Sequence, residues 1–342
     1  MKNDNNNSKK SKVAPTIYDV AKRAGVSVST VSRVMNNDPL VSDATIKNVE
    51  SAIRILNYKR VRAANTKITG MKLIALVLPD ILNPFYAILI KGIEDIAKIQ
   101  GYNIILCDYG FDSESENALI MTLLENKIKG IIYIPSSVDN SLIDKLIEED
   151  FSLVFLDRKI EKAGICYVTS ANEEGAYQAV RYLLKLGHRE IVFIAGSQQL
   201  STSTARFNGY KKALSENRIT INENLVLHGD FNLDKTYNEV SRFIKKGISF
   251  TAIFAASDIM AFGAKKALEE NNLKIPDEVS LVGYDDVPFS TVISLTTVSQ
   301  PGYEIGRSAM LLLIDLINKR VKPPQQIVLR PSLILRESCK KR

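Results

Sequence analysis

One short segment of the chain carries side chains whose types and spacing suit the edges of DNA bases. Arg33 can donate two hydrogen bonds to the O6 and N7 acceptors of guanine, and Ser29 lies one helical turn before it. Val28 offers an apolar contact that suits a thymine methyl group. If these residues lie on one face of a helix, that face can read a DNA sequence. We therefore expect Val28, Ser29 and Arg33 to read bases.

Short hydrogen-bond donors surround that segment and suit contacts with phosphate oxygens. Such contacts fix the position and register of a protein on DNA without reading its sequence. The predicted backbone-positioning residues are Thr16, Tyr18, Ser27, Thr30, Ser32, Asn36, Ser42, Thr45 and Tyr58.

A second set of polar and aromatic residues follows short apolar segments that we predict to be strands. Carboxylates and guanidinium groups can bind the hydroxyl groups of a sugar, and aromatic rings can cover its C–H face. For Asp157 and Arg158 a structural ion pair is the alternative, and for Phe85 and Tyr86 a place in the core. The predicted effector-binding residues are Phe85, Tyr86, Asp157, Arg158, Arg206, Ser257 and Asp285.

Residue patterns for catalysis or metal binding are missing from the sequence. It contains no GxSxG, GxxxxGK[ST] or HExxH motif, and no GxGxxG follows a predicted strand. Its two histidines lie far apart, and Cys107, Cys166 and Cys339 form no CxxC pair. We therefore predict a protein that is not an enzyme, that uses no cofactor or metal, and whose thiols stay reduced in a cytoplasm.

The base-reading residues require a helix that lies in the major groove, and the sequence around them predicts a helix-turn-helix. Thr16 can cap a first helix and Gly25 can end it. Ser27 can cap the second helix, which carries the base-reading face, and Ser42 can cap a third. We predict a compact three-helix DNA-binding domain over residues 15–58, after a disordered basic tail over residues 1–14.

The charge distribution supports a polyanionic partner for this end of the chain. Residues 1–70 carry 13 Lys and Arg against 5 Asp and Glu, which is a net charge of +8. Because the whole chain carries +7, the remaining residues carry a net charge of −1. The excess positive charge therefore belongs to the segment with the helix-turn-helix pattern, as expected for nucleic-acid binding.

The strand-end residues require parallel sheets, in which ligands bind beyond the carboxyl ends of the strands. From residue 72 onward, short apolar segments alternate with amphipathic ones, which is typical of α/β folds. The predicted strands are 73–78, 104–107, 130–134, 153–157, 191–195, 252–256 and 279–283. We predict two lobes, lobe 1 over about 72–168 and 298–328, and lobe 2 over about 169–297 and 329–342. No apolar run approaches the ~20 residues needed to cross a membrane.

The segment TIYDVAKRAGVSVSTVSRVMN, with Val41-Ser42 and Asn57-Tyr58 after it, closely resembles the DNA-binding headpiece of the LacI/GalR family of bacterial transcription regulators. The part from residue 72 to 342 resembles the periplasmic-binding-protein-like sensor domain of the same family, including members that sense ribose. The resemblance implies a homodimer that binds a pseudo-palindromic double-stranded DNA operator. It also implies allosteric control by a small sugar or sugar phosphate, and a cytoplasmic protein that associates with the nucleoid when bound.

The resemblance weakens in residues 59–71, the predicted hinge. Family members usually read Tyr-x-Pro-Asn-x-x-Ala-Arg-x-Leu there, and their Leu wedges into the minor groove. Here Tyr58 and Ala64 match, but Lys67 stands where the family has Leu. Arg60, Arg62 and Lys67 can still contact phosphates, so we expect binding with weaker DNA bending. Ser257 is a second departure, because family members often have Asn at that position.

Two kinds of transcription regulator fit these patterns, and two other functions fit them less well. A ligand-gated regulator, most simply a repressor of carbohydrate-utilisation genes, accounts for both ends of the chain. A regulator controlled by a phosphoprotein partner, of the catabolite-control type, is the nearest alternative. A sugar-transport receptor would need a signal peptide, which the polar N-terminus does not resemble. An α/β enzyme fused to a DNA-binding domain lacks a recognisable nucleophile or metal cluster.

Overall fold

The structure is a computed structural model. It describes residues 16–35, 38, 41–56, 58, 72–126, 128–136, 141–148, 151–160 and 162–342. The chain forms two compact units, Met1–Gly70 and Met71–Arg342. None of the helices in the described ranges is both long enough and apolar enough to cross a membrane.

Three helices form the described part of the first unit. They are α1 (Ile17–Ala24), α2 (Val28–Met35) and α3 (Asp43–Leu56). Val20, Val31, Val34 and Val49 are buried between them and form a small common core. Gly25 ends α1 with a φ of 68°, a left-handed conformation that glycine adopts without strain, so the chain turns sharply into α2. The predicted three-helix arrangement is confirmed.

The described part of the second unit contains two six-stranded sheets, one in each lobe. Lobe 1 has the order β11-β5-β4-β3-β1-β2 and lobe 2 the order β12-β10-β9-β8-β6-β7. The strands are β1 (Lys72–Leu78), β2 (Tyr102–Asp108), β3 (Ile131–Tyr133), β4 (Leu153–Leu156), β5 (Tyr167–Ser170), β6 (Ile191–Ala195), β7 (Val226–His228), β8 (Ala252–Ala255), β9 (Ser280–Asp285), β10 (Thr296–Ser299), β11 (Gln326–Leu329) and β12 (Ser332–Ile334). Neighbouring strands are parallel except β10 and β12, which are antiparallel.

Helices cover the faces of both sheets and bury the apolar strands between them. The helices are α4 (Pro84–Ile99), α5 (Ser113–Glu125), α6 (Ser141–Glu148), α7 (Asn172–Lys185), α8 (Ser201–Glu216), α9 (Leu233–Lys245), α10 (Asp258–Glu270), α11 (Pro288–Val292) and α12 (Gly302–Ile317). Helices α4 and α12 pack together against the sheet of lobe 1, while α7 packs against α8 in lobe 2. The predicted α/β fold with two parallel-sheet lobes is confirmed.

The chain crosses between the lobes three times, and each crossing lies one or two residues later than we predicted. Ser170 pairs with Leu329 in the sheet of lobe 1, so the predicted boundaries at residues 168 and 328 move to 170 and 329. Val298 and Ser299 pair with Tyr284 and Asp285 of β9, so both belong to the sheet of lobe 2. The return to lobe 1 therefore follows β10 and precedes α12, and the predicted boundary at residue 298 is corrected. The physical reason is that β10 is a threonine-rich strand without the apolar run that marks its neighbours.

Candidate functional site

The exposed face of α2 carries two of the three predicted base-reading residues. Ser27 caps this helix, because its Oγ accepts a hydrogen bond from the Thr30 amide at 3.1 Å. Ser29 and Arg33 are exposed one helical turn apart. The Arg33 Nε lies 3.9 Å from a carboxylate oxygen of Asp38. An exposed pair at this distance contributes little free energy, so the guanidinium can exchange Asp38 for a base edge.

Val28 is placed differently from Ser29 and Arg33. It is half-buried and packs against the core that contains Val31 and Val49. Val28 is the first residue of α2, and its side chain lies partly in the core and partly at the surface. Only part of its apolar surface is therefore available for a contact outside the domain.

Several predicted phosphate-contacting residues also cap helices. The Thr16 Oγ1 accepts a hydrogen bond from the Asp19 amide at 3.4 Å and donates one to the Asp19 carboxylate at 2.7 Å. The Ser42 Oγ accepts from the Thr45 amide at 3.4 Å. The free amides of helix N-termini suit phosphate groups, so these caps place phosphate-binding chemistry on the surface.

The other predicted DNA-contacting and hinge residues divide into two groups. Thr30 and Ser32 are half-buried on α2, and Tyr58 packs against the core of the three helices. The side chain of Tyr18 and the residues Asn36, Arg60, Arg62, Ala64 and Lys67 lie outside the described residues. The same is true of the tail over residues 1–14.

The second candidate site is a small cavity between the two lobes, at the carboxyl ends of their strands. Its volume is about 20 Å³, so the lobes lie together with room for roughly one water molecule. Six of the seven predicted effector residues line it, and they come from both lobes. These six are Phe85, Tyr86, Asp157, Arg158, Arg206 and Asp285. Residues far apart in the sequence are thus brought to one place. This agrees with the rule that ligands bind beyond the carboxyl ends of parallel strands, which we call the strand-end rule.

Arg206 and Asp285 form the lobe 2 wall of the cavity. The Arg206 Nε donates to the Asn172 Oδ1 at 2.8 Å, and its Nη1 donates to the Ala256 carbonyl at 2.6 Å. The same Nη1 lies 3.6 Å from the Asp285 Oδ1, and the guanidinium lies 3.8 Å from the centre of the Tyr284 ring. Four partners hold this arginine, so its position is fixed before any ligand binds.

Asp285 is buried at the end of β9 beside this guanidinium. Burial raises the pKa of the Asp285 carboxyl well above its usual range, while Arg206 and a hydrogen bond from Gln300 oppose that shift. The Gln300 Nε2 donates to the Asp285 Oδ1 at 2.7 Å. Asp285 also has a φ of 117°, an unfavourable conformation for a residue with a side chain. Such strain is characteristic of functional sites, because the surrounding structure must impose it.

Asp157 and Arg158 form part of the lobe 1 wall, directly after β4. The Arg158 Nη1 donates to the Thr202 Oγ1 at 3.3 Å, across the gap between the lobes. Its Nη2 donates to the Tyr86 hydroxyl at 3.4 Å. Both bonds are long, so this wall is held less firmly than the Arg206 wall.

Hydrogen-bonding capacity is left unused at this cavity. Five buried side-chain polar atoms lack a partner in the described part of the chain, and three of them belong to Asp157, Arg158 and Gln300. These three atoms are the Asp157 Oδ1, the Arg158 Nε and the Gln300 Oε1. Each unpaired buried polar atom costs about 1–3 kcal/mol. A ligand that carries several hydroxyl groups would recover this cost by donating to the two oxygens and accepting from the Nε.

Ser257 does not line the cavity, so its predicted effector contact is corrected. Its Oγ accepts a hydrogen bond from the Met260 amide at 3.3 Å and caps α10. The next residue, Asp258, is buried and accepts hydrogen bonds from the Val287 amide and from the Ser290 and Thr297 hydroxyls. A residue that follows a strand can either cap the next helix or face the ligand site. After β8, Ser257 caps α10.

Sequence reasoning missed several residues of this site. Thr202, Phe111 and Phe231 line the cavity, and Gln300 bonds to Asp285. Gln300 follows β10, so the strand-end rule would have found it had β10 been recognised as a strand. The two phenylalanines lie within two residues of a glycine in the short turns after β2 and β7, and the sequence gives no other sign of their position.

A larger groove, of about 1200 Å³, runs along α7 and α8 and shares Thr202 with the cavity. Lysines and glutamates line it together, among them Lys212, Glu173 and Glu174. The small cavity is nevertheless the stronger candidate for the ligand site. Its lining includes the fixed Arg206 and the strained Asp285. It also includes Asp157 and Arg158, which carry two of the unpaired buried polar atoms.

Known proteins share both units of this chain. Residues 16–60 match the family model "Bacterial regulatory proteins, lacI family", and residues 180–339 match "Periplasmic binding protein-like domain". The HTH-type transcriptional regulator RegA of Clostridium saccharobutylicum is 36% identical over 330 residues, which cover 95% of this chain and 99% of RegA. The ribose operon repressor of Halalkalibacterium halodurans is 34% identical, with 95% and 97% covered.

A solved structure agrees with these sequence relatives. The transcriptional regulator CelR in complex with cellobiose superimposes with a TM-score of 0.74 at 31% identity, and the match covers 95% of this chain and 99% of CelR. The matches span nearly the whole chain and include both the helix-turn-helix and the two-lobed unit. The chain therefore belongs to the lacI family of bacterial transcriptional regulators.

Proposed function

We propose that this protein represses carbohydrate-utilisation genes and that a small neutral sugar controls its binding to operator DNA. The observation that carries the proposal is the interlobe cavity, where three carboxyl groups and two guanidinium groups meet aromatic rings and three nearby buried polar atoms lack partners. The names of relatives support the sugar, since one is a ribose operon repressor and one solved neighbour contains cellobiose.

The charges of the cavity favour a neutral sugar over a sugar phosphate. Asp80 lines the cavity together with Asp157 and Asp285, against the two guanidinium groups of Arg158 and Arg206. A phosphate group inside this cavity would meet three carboxyl groups at close range in a medium of low dielectric constant. Hydroxyl groups, in contrast, can donate to carboxylates and accept from guanidinium groups.

On the DNA side, Ser29 and Arg33 read base edges while the N-termini of the three helices bind phosphates. The support is the exposure of both side chains on α2 and the weak hold of Asp38 on Arg33. Replacing Arg33 with Ala should weaken specific operator binding by about 1–3 kcal/mol per contact. Arg60, Arg62 and Lys67 would add phosphate contacts that do not depend on base sequence.

A homodimer would present two such helices to a pseudo-palindromic operator. The support for the dimer is the family, since the proposal of two half-sites requires two copies of the helix-turn-helix.

Control follows from the two-lobed site. The sugar binds residues of both lobes, so it stabilises the closed arrangement, in which the Arg158–Thr202 hydrogen bond already joins the lobes. If the closed and open forms differ in their affinity for DNA, sugar binding and DNA binding are thermodynamically linked. The sign of the linkage then decides whether the sugar releases or retains the operator.

The test is a gel-shift titration of the protein on the DNA upstream of its own gene, with and without D-ribose, D-glucose and cellobiose. We expect retardation of that DNA and a change in its midpoint with at least one sugar. The Asp285→Asn variant should still retard the DNA and lose the response. If no DNA is retarded, or if the response appears only with a phosphoprotein partner, the proposal is wrong.

A further inference from the structure

Two phenylalanines occupy matching positions in the two lobes. Phe111 lies between the edge strand β2 and α5, and Phe231 lies between the edge strand β7 and α9. Each immediately precedes the residue that caps the following helix, since Asp112 accepts from the Ser115 amide and Asn232 from the Lys235 amide. The two turns are therefore built alike, and both of these rings line the interlobe cavity.

Both phenylalanines also have a backbone conformation that side chains rarely adopt. The φ of Phe111 is 58° and that of Phe231 is 57°. This left-handed region suits glycine, and a bulky residue there is uncommon. Neither helix cap needs an aromatic residue at this position, so the caps do not account for either ring.

The surroundings of the two rings differ. Phe231 fits into a hollow above Gly196, where an added β-carbon would lie 2.1 Å from a ring carbon. Its ring centre also lies 5.9 Å from the Arg206 guanidinium, so it belongs to the fixed wall of lobe 2. Phe111 lines the cavity as well, yet 48% of its surface is exposed to solvent. An exposed phenylalanine in this backbone conformation adds no more stability to the fold than a polar residue would add.

We infer that Phe111 is a specificity-determining residue that covers the open side of the bound effector and selects a ring over an open chain. The inference rests on the proposed function. The cavity has room for about one water molecule, so it must widen for a sugar, and Phe111 is its least enclosed aromatic wall. Its ring then lies against the C–H face of a furanose or pyranose, opposite the fixed Phe231. An open-chain polyol offers hydroxyl groups of the same kind but no flat C–H face.

The absence of tryptophan from the chain makes this contact directly measurable. The Phe111→Trp variant carries a single tryptophan, whose emission should shift to shorter wavelength and saturate as D-ribose or D-glucose binds. The matched control is Phe151→Trp, at the opposite end of β4 from Asp157, whose emission should not respond.

Affinity measurements by calorimetry complete the test. Relative to the wild-type chain, Phe111→Ala should bind the cyclic sugar roughly two- to tenfold more weakly. Phe111→Leu, which keeps apolar bulk without a flat ring, should fall between the two. The preference of the wild-type chain for D-ribose over ribitol, or D-glucose over glucitol, should shrink by the same factor in Phe111→Ala.

The outcomes separate the two proposals. If the wild-type chain binds a cyclic sugar, but Phe111→Ala binds it equally well and the emission of Phe111→Trp stays constant, the role of Phe111 is refuted and the sugar site stands. If the wild-type chain binds none of the sugars tested while it still retards operator DNA, the effector assignment fails and the inference about Phe111 fails with it.

Discussion

The two walls of the interlobe cavity differ in how completely they are built before a ligand arrives. In lobe 2, Arg206 has four partners and Phe231 lies in a hollow above Gly196. In lobe 1, Arg158 makes two long hydrogen bonds and its Nε has no partner. Lobe 2 therefore resembles a preorganised receptor, whereas lobe 1 becomes fully bonded only when a ligand is present. Substitutions in lobe 2 should mainly affect folding, and those in lobe 1 mainly affinity.

The largest effect should come from Arg206→Ala. It leaves the buried Asp285 without its cation and removes hydrogen bonds to Asn172 and the Ala256 carbonyl. The free energy of unfolding of the sugar-free protein should fall by about 3–5 kcal/mol, as measured by urea denaturation. A loss of less than about 1 kcal/mol, the range of an ordinary hydrogen bond, would contradict the description of this wall as preorganised.

A pH titration should expose the buried carboxyls of lobe 2. Burial raises the pKa of Asp258 to about 6, despite its three hydrogen-bond donors. Because the folded protein holds this proton more tightly than the unfolded chain, Asp258 contributes most to stability below about pH 4 and loses that contribution as the pH rises through 6. This contribution amounts to no more than about 3 kcal/mol.

The measurement compares urea unfolding of the wild-type chain and of Asp258→Asn at pH 4 and pH 7. The variant should lose less stability than the wild-type chain over this interval, since Asn does not titrate. Equal losses would show that the pKa of Asp258 is the same in the folded protein and in the unfolded chain. Comparing the two changes, rather than the absolute stabilities, removes the constant effect of the altered hydrogen bonds.

Gly196→Ala should have a smaller effect that is still located in lobe 2. The added β-carbon would lie 2.1 Å from the Phe231 ring, so the ring must leave its hollow. Overpacking of this kind costs about 1–3 kcal/mol, and we expect weaker sugar binding as well. Gly164→Ala is the matched control for glycine removal, because its β-carbon meets nothing within 4 Å even though its φ of 76° is unfavourable. Full sugar affinity in Gly196→Ala would argue against Phe231 as a wall.

The smallest effect on stability should come from Arg158→Ala, in lobe 1. The two hydrogen bonds of Arg158 are long, and removing its side chain also removes an unpaired buried atom. The free energy of unfolding should therefore change by about 1 kcal/mol. Sugar affinity should nevertheless fall at least tenfold, because a charged donor to the ligand is lost. A large loss of stability with unchanged affinity would reverse the proposed difference between the two walls.

The sequence allowed the fold and most of the cavity to be predicted, for a physical reason. Buried parallel strands such as Ile191–Ala195 appear as apolar runs, and the residues that follow them must meet at one edge of the sheet. This rule located Asp157, Arg206 and Asp285. It failed for Ser257, because a residue after a strand can cap the next helix instead of facing the cavity.

Other parts of the site leave no readable pattern. Strand β10, with the sequence TTVS, has too few apolar residues to be recognised, so Gln300 was missed and the lobe boundary was misplaced. The positive φ of Phe111 and Phe231 depends on the geometry of each turn, and a phenylalanine there gives no local signal. Features set by tertiary structure rather than by local preference are the ones that the sequence did not reveal.

The order of the chain through the two sheets has a consequence for how the protein is made. The sheet of lobe 1 is completed by β11 (Gln326–Leu329), which pairs with β5 only after all of lobe 2 up to β10 has been synthesised. Helix α12, which covers α4, also lies beyond that point. During translation, lobe 1 therefore has an unpaired sheet edge and an exposed apolar face until lobe 2 has been synthesised. Nascent chains that stop before residue 329 should depend strongly on chaperones, and neither lobe can be obtained intact by a single cut in the gene.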